Sequence, residues 1–338
     1  MLYTLYVSVA GDQKIAVYGM DAKSGALFPI EEVPTGGSVM SLVVNRAQNR
    51  LYASIRSIPE LQTYARDTQT GYLSLLGRTP LKTDACYLFL DRTDRYLLSA
   101  YYKGGGVAVH AIGSDDVVLE TPVEWRTTSP CAHSIQTDPT NRFAFVPHVA
   151  ESNCLLQFRF DETTGHLAPN DPATVNPAPD TGPRHYCHHR TKDIVYVVNE
   201  QANTITAYRF DPEQGTLTPF QTISTLPPDY SDHSMCAEIH LHPSGRFLYA
   251  SNRGHDSIAC FAVQPEQGTL SAVGQVPTEE TPRAFNIDPD GHFLFAGGQA
   301  TTRLASYRID QKTGWLAPLA VYEVGHSPSW VMALRDQG

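Results

Sequence analysis

The stretch AEIHLHPSGRFLYASNR at residues 237–253 joins two short apolar runs through the turn HPSGR. Its second run, LYAS at residues 248–251, recurs with small changes along the whole chain. The other copies are LYVS (5–8), LYAS (51–54), LLSA (97–100), AFVP (144–147), VYVV (195–198) and LFAG (294–297). Successive copies begin 46, 46, 47, 51, 53 and 46 residues apart, a period typical of propeller folds with about four strands per blade.

Each repeat also contains turns rich in Asp, Asn, Pro and Gly. One turn precedes the apolar run, as in DPTNR (138–142), and in most repeats a second follows it, as in DPEQG (211–215). The residues between the turns are β-branched and aromatic, without a long helical period. The sequence therefore predicts an all-β, seven-bladed β-propeller with four antiparallel strands per blade, and residues 1–338 form its single domain.

The two ends of the chain complement each other. The chain begins with a run that corresponds to the second strand of a blade, so the first blade lacks its innermost strand. The C-terminal segment SWVMAL, Ser329 to Leu334, has the pattern needed to supply that strand. We therefore expect the C-terminal strand to complete the N-terminal blade, which closes the ring and removes an exposed sheet edge.

Composition excludes several classes of protein. The 338 residues carry a formal net charge of −10, whereas nucleic-acid binding needs a basic surface. The chain contains no apolar run of the roughly 18 residues that a membrane span needs, and its N-terminus does not have the pattern of a signal peptide. Six cysteines are scattered without a CxxC pair, which favours reduced thiols and a cytoplasmic protein.

The predicted strand directions separate two faces of the propeller. Stereotyped turns join strands one to two and three to four on one face. The other face has irregular loops, including the insertions at 169–183 and 227–234. Because function usually lies on irregular loops over a rigid scaffold, we expect the site at the mouth of the central channel on this second face.

Alignment of the repeats on their turns shows which residues line that mouth. Innermost strands begin with positions that include His133, Arg184 and Arg283, and the next positions include His185 and Glu238. The second strands end at positions that include Arg56, Glu200, Arg253 and Gln299. An arginine cluster in an acidic protein indicates an anionic ligand, because guanidinium groups match carboxylate and phosphate oxygens.

Other chemistries are less well supported. His185, His188 and His189 lie close in sequence, and His240 and His242 alternate on one strand. However, His189 and His242 occupy a position that is Asp in other repeats, which indicates turn residues. The sequence shows no acidic cluster of the calcium-binding type and no GxSxG elbow, so we predict no metal and no cofactor. The three tryptophans are interpreted as packing residues.

Several stretches resemble the propeller lactonase family, which includes bacterial 6-phosphogluconolactonases and fungal carboxymuconate-lactonizing enzymes. They are CAHSIQTDP (131–139), GPRH (182–185), VNE (198–200), AEIHLHPSGRFLYASNR (237–253) and PRAFNIDPDGHFLFAGGQ (282–299). The resemblance implies that His133, Arg184, Glu200 and Arg253 form the active-site set. The segment HSPSW (326–330) departs from the family pattern and adds His326 at the mouth.

The resemblance implies hydrolysis of an anionic sugar lactone, 6-phospho-D-glucono-1,5-lactone being the expected substrate and the only partner predicted. Glu200 is the candidate base, directly or by orienting His185. Arg184 and Arg253 are expected to stabilise the oxyanion or to hold a substrate carboxylate or phosphate, and His133 is the candidate acid for the departing hydroxyl. The expected substrate-binding residues are Arg56, His185, Glu238, Arg283, Gln299 and His326. Two alternatives remain open: a lactonizing cycloisomerase acting on a carboxymuconate, and a non-enzymatic scaffold.

Overall fold

The repeats fold into seven four-stranded antiparallel sheets, as the computed structural model shows for residues 2–336. One 3-10 turn, Ala150–Ser152, lies in a loop of the fourth blade. The first blade contains β1 (Leu2–Val9), β2 (Lys14–Asp21), β3 (Leu27–Pro34) and the last strand of the chain, β28 (Pro328–Arg335); the second contains β4 (Val39–Val44), β5 (Arg50–Ile55), β6 (Glu60–Arg66) and β7 (Leu73–Pro80); and the third contains β8 (Tyr87–Leu90), β9 (Tyr96–Tyr101), β10 (Gly106–Ala111) and β11 (Glu124–Thr127). The fourth blade contains β12 (Gln136–Thr137), β13 (Phe143–His148), β14 (Cys154–Phe160) and β15 (Leu167–Val175), and the fifth contains β16 (Pro183–His188), β17 (Ile194–Asn199), β18 (Thr204–Asp211) and β19 (Thr216–Ser224). The sixth blade contains β20 (Met235–Leu241), β21 (Phe247–Arg253), β22 (Ser257–Val263) and β23 (Leu270–Pro277), and the seventh contains β24 (Pro282–Ile287), β25 (Phe293–Gly298), β26 (Arg303–Ile309) and β27 (Leu316–Glu323).

The first strand of each sheet faces a common axis. Strand β28 contacts β4 and β24, and β20 contacts β16 and β24. Apolar clusters fill the space between neighbouring sheets: one of them joins Tyr6 and Val17 of the first blade to Leu51 and Ala53 of the second. The predicted seven-bladed propeller is confirmed. One detail differs, because half of the expected insertion at 169–183 is strand: β15 runs to Val175, and a loop follows it.

The C-terminal strand closes the ring, as the sequence predicts. Strand β28 pairs antiparallel with β1, and the register places Val7 opposite Val331. Just beyond β28, the Asp336 carboxylate accepts hydrogen bonds from Thr4 Oγ1 at 2.8 and 2.9 Å and forms an ion pair with Arg66 of the second blade. The two chain ends and the neighbouring blade are therefore joined by one buried polar contact.

Within residues 2–336, no helix has the length and apolar composition that a membrane span needs. All six cysteine thiols are free, in agreement with the reduced state expected from their spacing.

The closing contact generates a stability prediction. The Arg66 side chain is fully buried, so Asp336→Ala leaves an uncompensated charge and should lower the free energy of unfolding by about 3–5 kcal/mol. The matched control is Glu32→Ala, which breaks the more exposed pair with Lys14 and should cost at most about 1 kcal/mol. Equilibrium denaturation measures both values, and similar small losses for the two variants would contradict the importance of this contact.

Candidate active site

Glu200 lies between two arginines at the mouth of the central channel. Its Oε2 atom is 2.7 Å from Arg184 Nε and 2.9 Å from Arg253 Nη2. Arg184 Nη1 also donates to the carbonyl of Ala237 at 2.5 Å, and Arg253 Nη2 donates to the carbonyl of Cys236 at 2.9 Å. Burial opposes ionisation of Glu200, but the charges of Arg184 and Arg253 outweigh it and lower the pKa of this carboxyl.

A third guanidinium group, that of Arg283, lines the same channel. Burial, followed by the charges of Arg184 and Arg253, lowers the pKa of Arg283 to about 9, so the group stays protonated at neutral pH. Among residues 2–336, no carboxylate lies within ion-pairing distance of Arg283. Two guanidinium groups thus pair with the Glu200 carboxylate, while Arg283 adds a further positive charge. This excess positive charge can receive an anion.

Two imidazoles and a second carboxylate form a hydrogen-bonded row beside the arginines. His133 Nδ1 is 3.1 Å from His185 Nε2, and His185 Nδ1 is 2.9 Å from Glu238 Oε1. Arg184 Nη1 lies 3.4 Å from His185 Nε2, which connects this row to the arginine cluster. All three members of the row are buried.

Both imidazoles are neutral at neutral pH. Burial, together with the charge of Arg184, lowers the pKa of His133 well below its usual value. Burial lowers the pKa of His185 to about 4, although Glu238 acts in the opposite direction. Burial also opposes ionisation of Glu238, but the contact with His185 outweighs it and lowers the pKa of Glu238 to about 2. The row therefore combines one carboxylate with two neutral rings.

β-Bulges explain why consecutive residues of one strand both line the channel. In β16, Pro183 pairs with Asn199 and His185 with Val198, so Arg184 is the extra residue. The same irregularity in β24 makes Arg283 the extra residue. A bulge changes the direction of its side chain relative to simple strand alternation. Arg184 and His185 therefore both contact the cavity, where regular alternation would have placed only one of them.

Glycine is favoured directly before β16. Gly182 has φ +67°, in the left-handed region where a residue with a Cβ atom is strained. The Gly182 carbonyl accepts a hydrogen bond from the backbone N–H of Glu200 at 2.6 Å. The GPRH segment thus fixes the start of β16 against the end of β17, and this contact places Arg184 next to Glu200.

The cavity itself is narrow. Its volume is about 10 Å³, enough for about one water molecule, so a larger ligand must sit above it in the open mouth. Four of its lining residues were not among the predicted site residues, namely Met40, Cys86, Ser329 and Trp330. Met40 and Cys86 occupy the same repeat position as His133, and this shared position could have identified them as lining residues. Trp330 was interpreted as packing, but its ring centroid lies 6.4 Å from that of His185.

Three of the predicted binding residues do not line the narrow cavity, although the charge of Arg56 contributes to the lowered pKa of Arg283. Arg56 is paired with Asp84 at 2.5 Å. Gln299 follows β25 and is half-buried. His326 is exposed, and its Nδ1 lies 2.9 Å from Asp12 Oδ1.

One proposed contact is corrected. Glu238, and not Glu200, accepts the hydrogen bond from His185. His185 and Glu238 occupy the same repeat position in neighbouring blades, so their side chains meet.

Two of the histidines considered as metal ligands, His189 and His242, lie in turns, as the sequence predicted, whereas His185, His188 and His240 lie in strands β16 and β20. His242 Nδ1 accepts from the backbone N–H of Ser244 at 3.1 Å, and His189 Nδ1 accepts from that of Thr191 at 3.2 Å. On the same turn face, Asp288, Asp290 and His292 bring three possible ligand atoms together. Asp288 accepts the backbone N–H of Phe293, and Asp290 is paired with Arg335, so these carboxylates already have structural partners.

The chain is similar to several known proteins over nearly its whole length. A family model described as "Lactonase, 7-bladed beta-propeller" matches residues 3–333. The chain is 35% identical to the 6-phosphogluconolactonases of Serratia proteamaculans, over 334 residues, and Pectobacterium carotovorum, over 335 residues, with 99% of each chain covered. The solved structure of a periplasmic gluconolactonase from Pseudomonas aeruginosa superposes with a TM-score of 0.92 at 24% identity, over 100% of both chains.

The fold and the site together define a propeller whose inner strands carry a cationic cluster at one mouth of the channel. With the family match over nearly the whole chain, the chain belongs to the seven-bladed β-propeller lactonase family.

The neutral imidazoles generate a prediction about stability and pH. An unfolded histidine takes up a proton near pH 6.5, whereas folded His185 resists protonation until about pH 4. The unfolded chain therefore binds more protons below pH 6.5, and the free energy of unfolding should fall by about 2 kcal/mol between pH 7 and pH 5 on account of His185 alone. Denaturation at both pH values should show a smaller fall for His185→Gln than for the wild type. The control is His166→Gln, which removes an exposed histidine and leaves the buried His185 in place. An equal fall in all three proteins would show that His185 titrates normally.

Proposed function

We propose that this lactonase hydrolyses 6-phospho-D-glucono-1,5-lactone to 6-phosphogluconate without a metal or cofactor. The observation that carries the proposal is the unpaired guanidinium of Arg283 next to the neutral imidazole of His133, since both line one cavity. The names of the two bacterial relatives support the same substrate. An anion site and a base at one position are what the reaction requires.

Charge favours an anionic sugar lactone over a neutral one. The chain has a net charge of −10, and its overall field repels a phosphate ester. A local cluster of arginines reverses that field at the channel mouth and raises the local concentration of an anion. Arg283 is the phosphate ligand that we favour, because Arg184 and Arg253 are already paired with Glu200.

His133 is the base that we favour. A neutral imidazole can accept the proton of a water molecule as that water attacks the lactone carbonyl carbon. The tetrahedral oxyanion then forms next to Arg184 or Arg253, whose positive charges stabilise it. When the ring C–O bond breaks, the protonated His133 returns its proton to the departing ring oxygen. The protein ends the cycle in its starting protonation state, and His133 serves as base first and acid afterwards.

Glu200 has a different role in this scheme. Its Oε2 atom contacts both guanidinium groups, so the carboxylate is engaged in holding the two arginines. We propose that Glu200 orients Arg184 and Arg253 and offsets part of their mutual repulsion. The six free thiols suit a reducing compartment, and this supports placing the enzyme in the cytoplasm.

The base generates the direct test of function. Purified wild-type protein should accelerate hydrolysis of 6-phosphogluconolactone above the spontaneous rate, which must be subtracted. His133→Gln should lower kcat by about two to four orders of magnitude, the usual contribution of acid–base catalysis. His166→Gln, an exposed histidine of the blade rim, should leave kcat unchanged. A wild type that adds nothing to the background but cyclises a carboxymuconate would favour the isomerase, and one that does neither would favour the scaffold.

The anion site generates a test of specificity. Arg283→Ala should raise KM for the phosphorylated lactone by about 10- to 100-fold, since a hydrogen bond to a charged group contributes about 1.5–3 kcal/mol. KM for unphosphorylated gluconolactone should change little. Arg303→Ala removes the same charge near the same face, where Arg303 is paired with Glu279, and should change neither KM. Equal effects of Arg283→Ala on both substrates would exclude Arg283 as the phosphate ligand.

A further inference from the structure

The carboxylate of Glu238 is buried and fixed by hydrogen bonds. The side chain is buried, and its Oε1 atom accepts the backbone N–H of Ile239 at 3.1 Å. The backbone N–H of Glu238 donates to Ser251 Oγ at 3.0 Å. Two other blades carry a serine at the same position, Ser41 and Ser134. A buried acid at this position of the ring therefore calls for a specific partner, and that partner is His185.

The charge on Glu238 determines which nitrogen of His185 carries the proton. A carboxylate can only accept hydrogen bonds, so His185 Nδ1, 2.9 Å from Glu238 Oε1, must be the donor. A neutral ring carries one proton. Nε2 of His185 is then an acceptor, and the approach of the Arg184 Nη1 donor to 3.4 Å agrees with this assignment.

The proton position on His133 follows from that on His185. His133 Nδ1 lies 3.1 Å from His185 Nε2, and because Nε2 is an acceptor, Nδ1 must carry the proton. His133 is neutral as well, so its second nitrogen, Nε2, holds a lone pair. Within residues 2–336, no protein group forms a hydrogen bond to this Nε2 atom. His133 lines the channel cavity, where such a lone pair can meet a water molecule.

We propose that Glu238 is a positioning residue that sets the tautomers of His185 and His133 and so leaves the lone pair of His133 on Nε2. Glu238 does this across two hydrogen bonds, without contact to the substrate. The assignment of the tautomers rests on the hydrogen-bond geometry of the row and on the neutrality of both rings. Only the use of that lone pair as a base rests on the function proposed above.

Two substitutions of similar size separate tautomer control from charge. Glu238→Gln keeps an oxygen at the position where the Ile239 N–H donates, so the amide oxygen still accepts from His185 Nδ1. Glu238→Met removes the acceptor, and a buried N–H left without a partner costs about 1–3 kcal/mol. His185 should then move its proton to Nε2 and donate to His133 Nδ1, which in turn places the His133 proton on Nε2.

The readout that does not depend on activity is the ¹⁵N NMR spectrum of the histidine side chains, which distinguishes the two tautomers. The wild type and Glu238→Gln should show His133 and His185 protonated on Nδ1, and Glu238→Met should show both protonated on Nε2. Kinetics should show kcat lowered by about two to four orders of magnitude in Glu238→Met with KM unchanged, because the wrong tautomer removes the base. Glu238→Gln should keep most of the wild-type kcat.

The control is Glu124→Met, which removes the carboxylate partner of the exposed His166 and should change neither the spectra of the channel histidines nor kcat. Wild-type His133 protonated on Nε2, or unchanged spectra in folded Glu238→Met, would overturn the proposal. A loss of kcat in Glu238→Gln equal to that in Glu238→Met would show that charge matters and tautomer control does not. A wild type inactive on every lactone would refute the proposed function, while the spectra would still decide the tautomers.

Discussion

The pairing of β28 with β1 is the contact on which the rest of the structure depends, because a central axis exists only in a closed ring. The site draws His133 from the fourth blade, Arg184 from the fifth and Arg253 from the sixth, so their spacing follows from the curvature of that ring. The closing strand also contributes directly, since Ser329 and Trp330 of β28 line the cavity. Closure therefore supports stability and shapes the site at once.

Charge is distributed unevenly around the axis. Arg184 and Arg253 pair with the carboxylate of Glu200, and Arg283 adds a positive charge beside them. In the same cavity, burial keeps His133 and His185 neutral. The desolvation of the arginines is a cost that an incoming anion can offset, and the neutral rings supply a base that a charged ring cannot. The anion site and the base of the proposed hydrolysis therefore lie side by side. The arginines and the histidines that form them differ mainly in the groups with which they pair.

Periodicity predicted most of the fold and the centre of the site. Seven copies of one unit allow each turn to be checked against the others, and the turns fix the register that groups His133, Arg184, Glu200 and Arg253. Repeat alignment could not predict side-chain partners, which depend on bulges and rotamers. It therefore named Glu200, and not Glu238, as the residue that could orient His185, and it could not predict that the exposed His326 pairs with Asp12. Trp330 was missed because the closing strand lies outside the aligned repeats.

The most direct test of the central claim, that the cationic mouth receives an anionic sugar acid or lactone, is a crystal structure of the protein with 6-phosphogluconate. We expect the ligand to lie over the channel. Its phosphate oxygens should lie within hydrogen-bonding distance of Arg283, and its carboxylate should lie near His133 and Arg253. A ligand bound at the opposite mouth or on the outer blades, with the arginine cluster still free of it, would contradict the account.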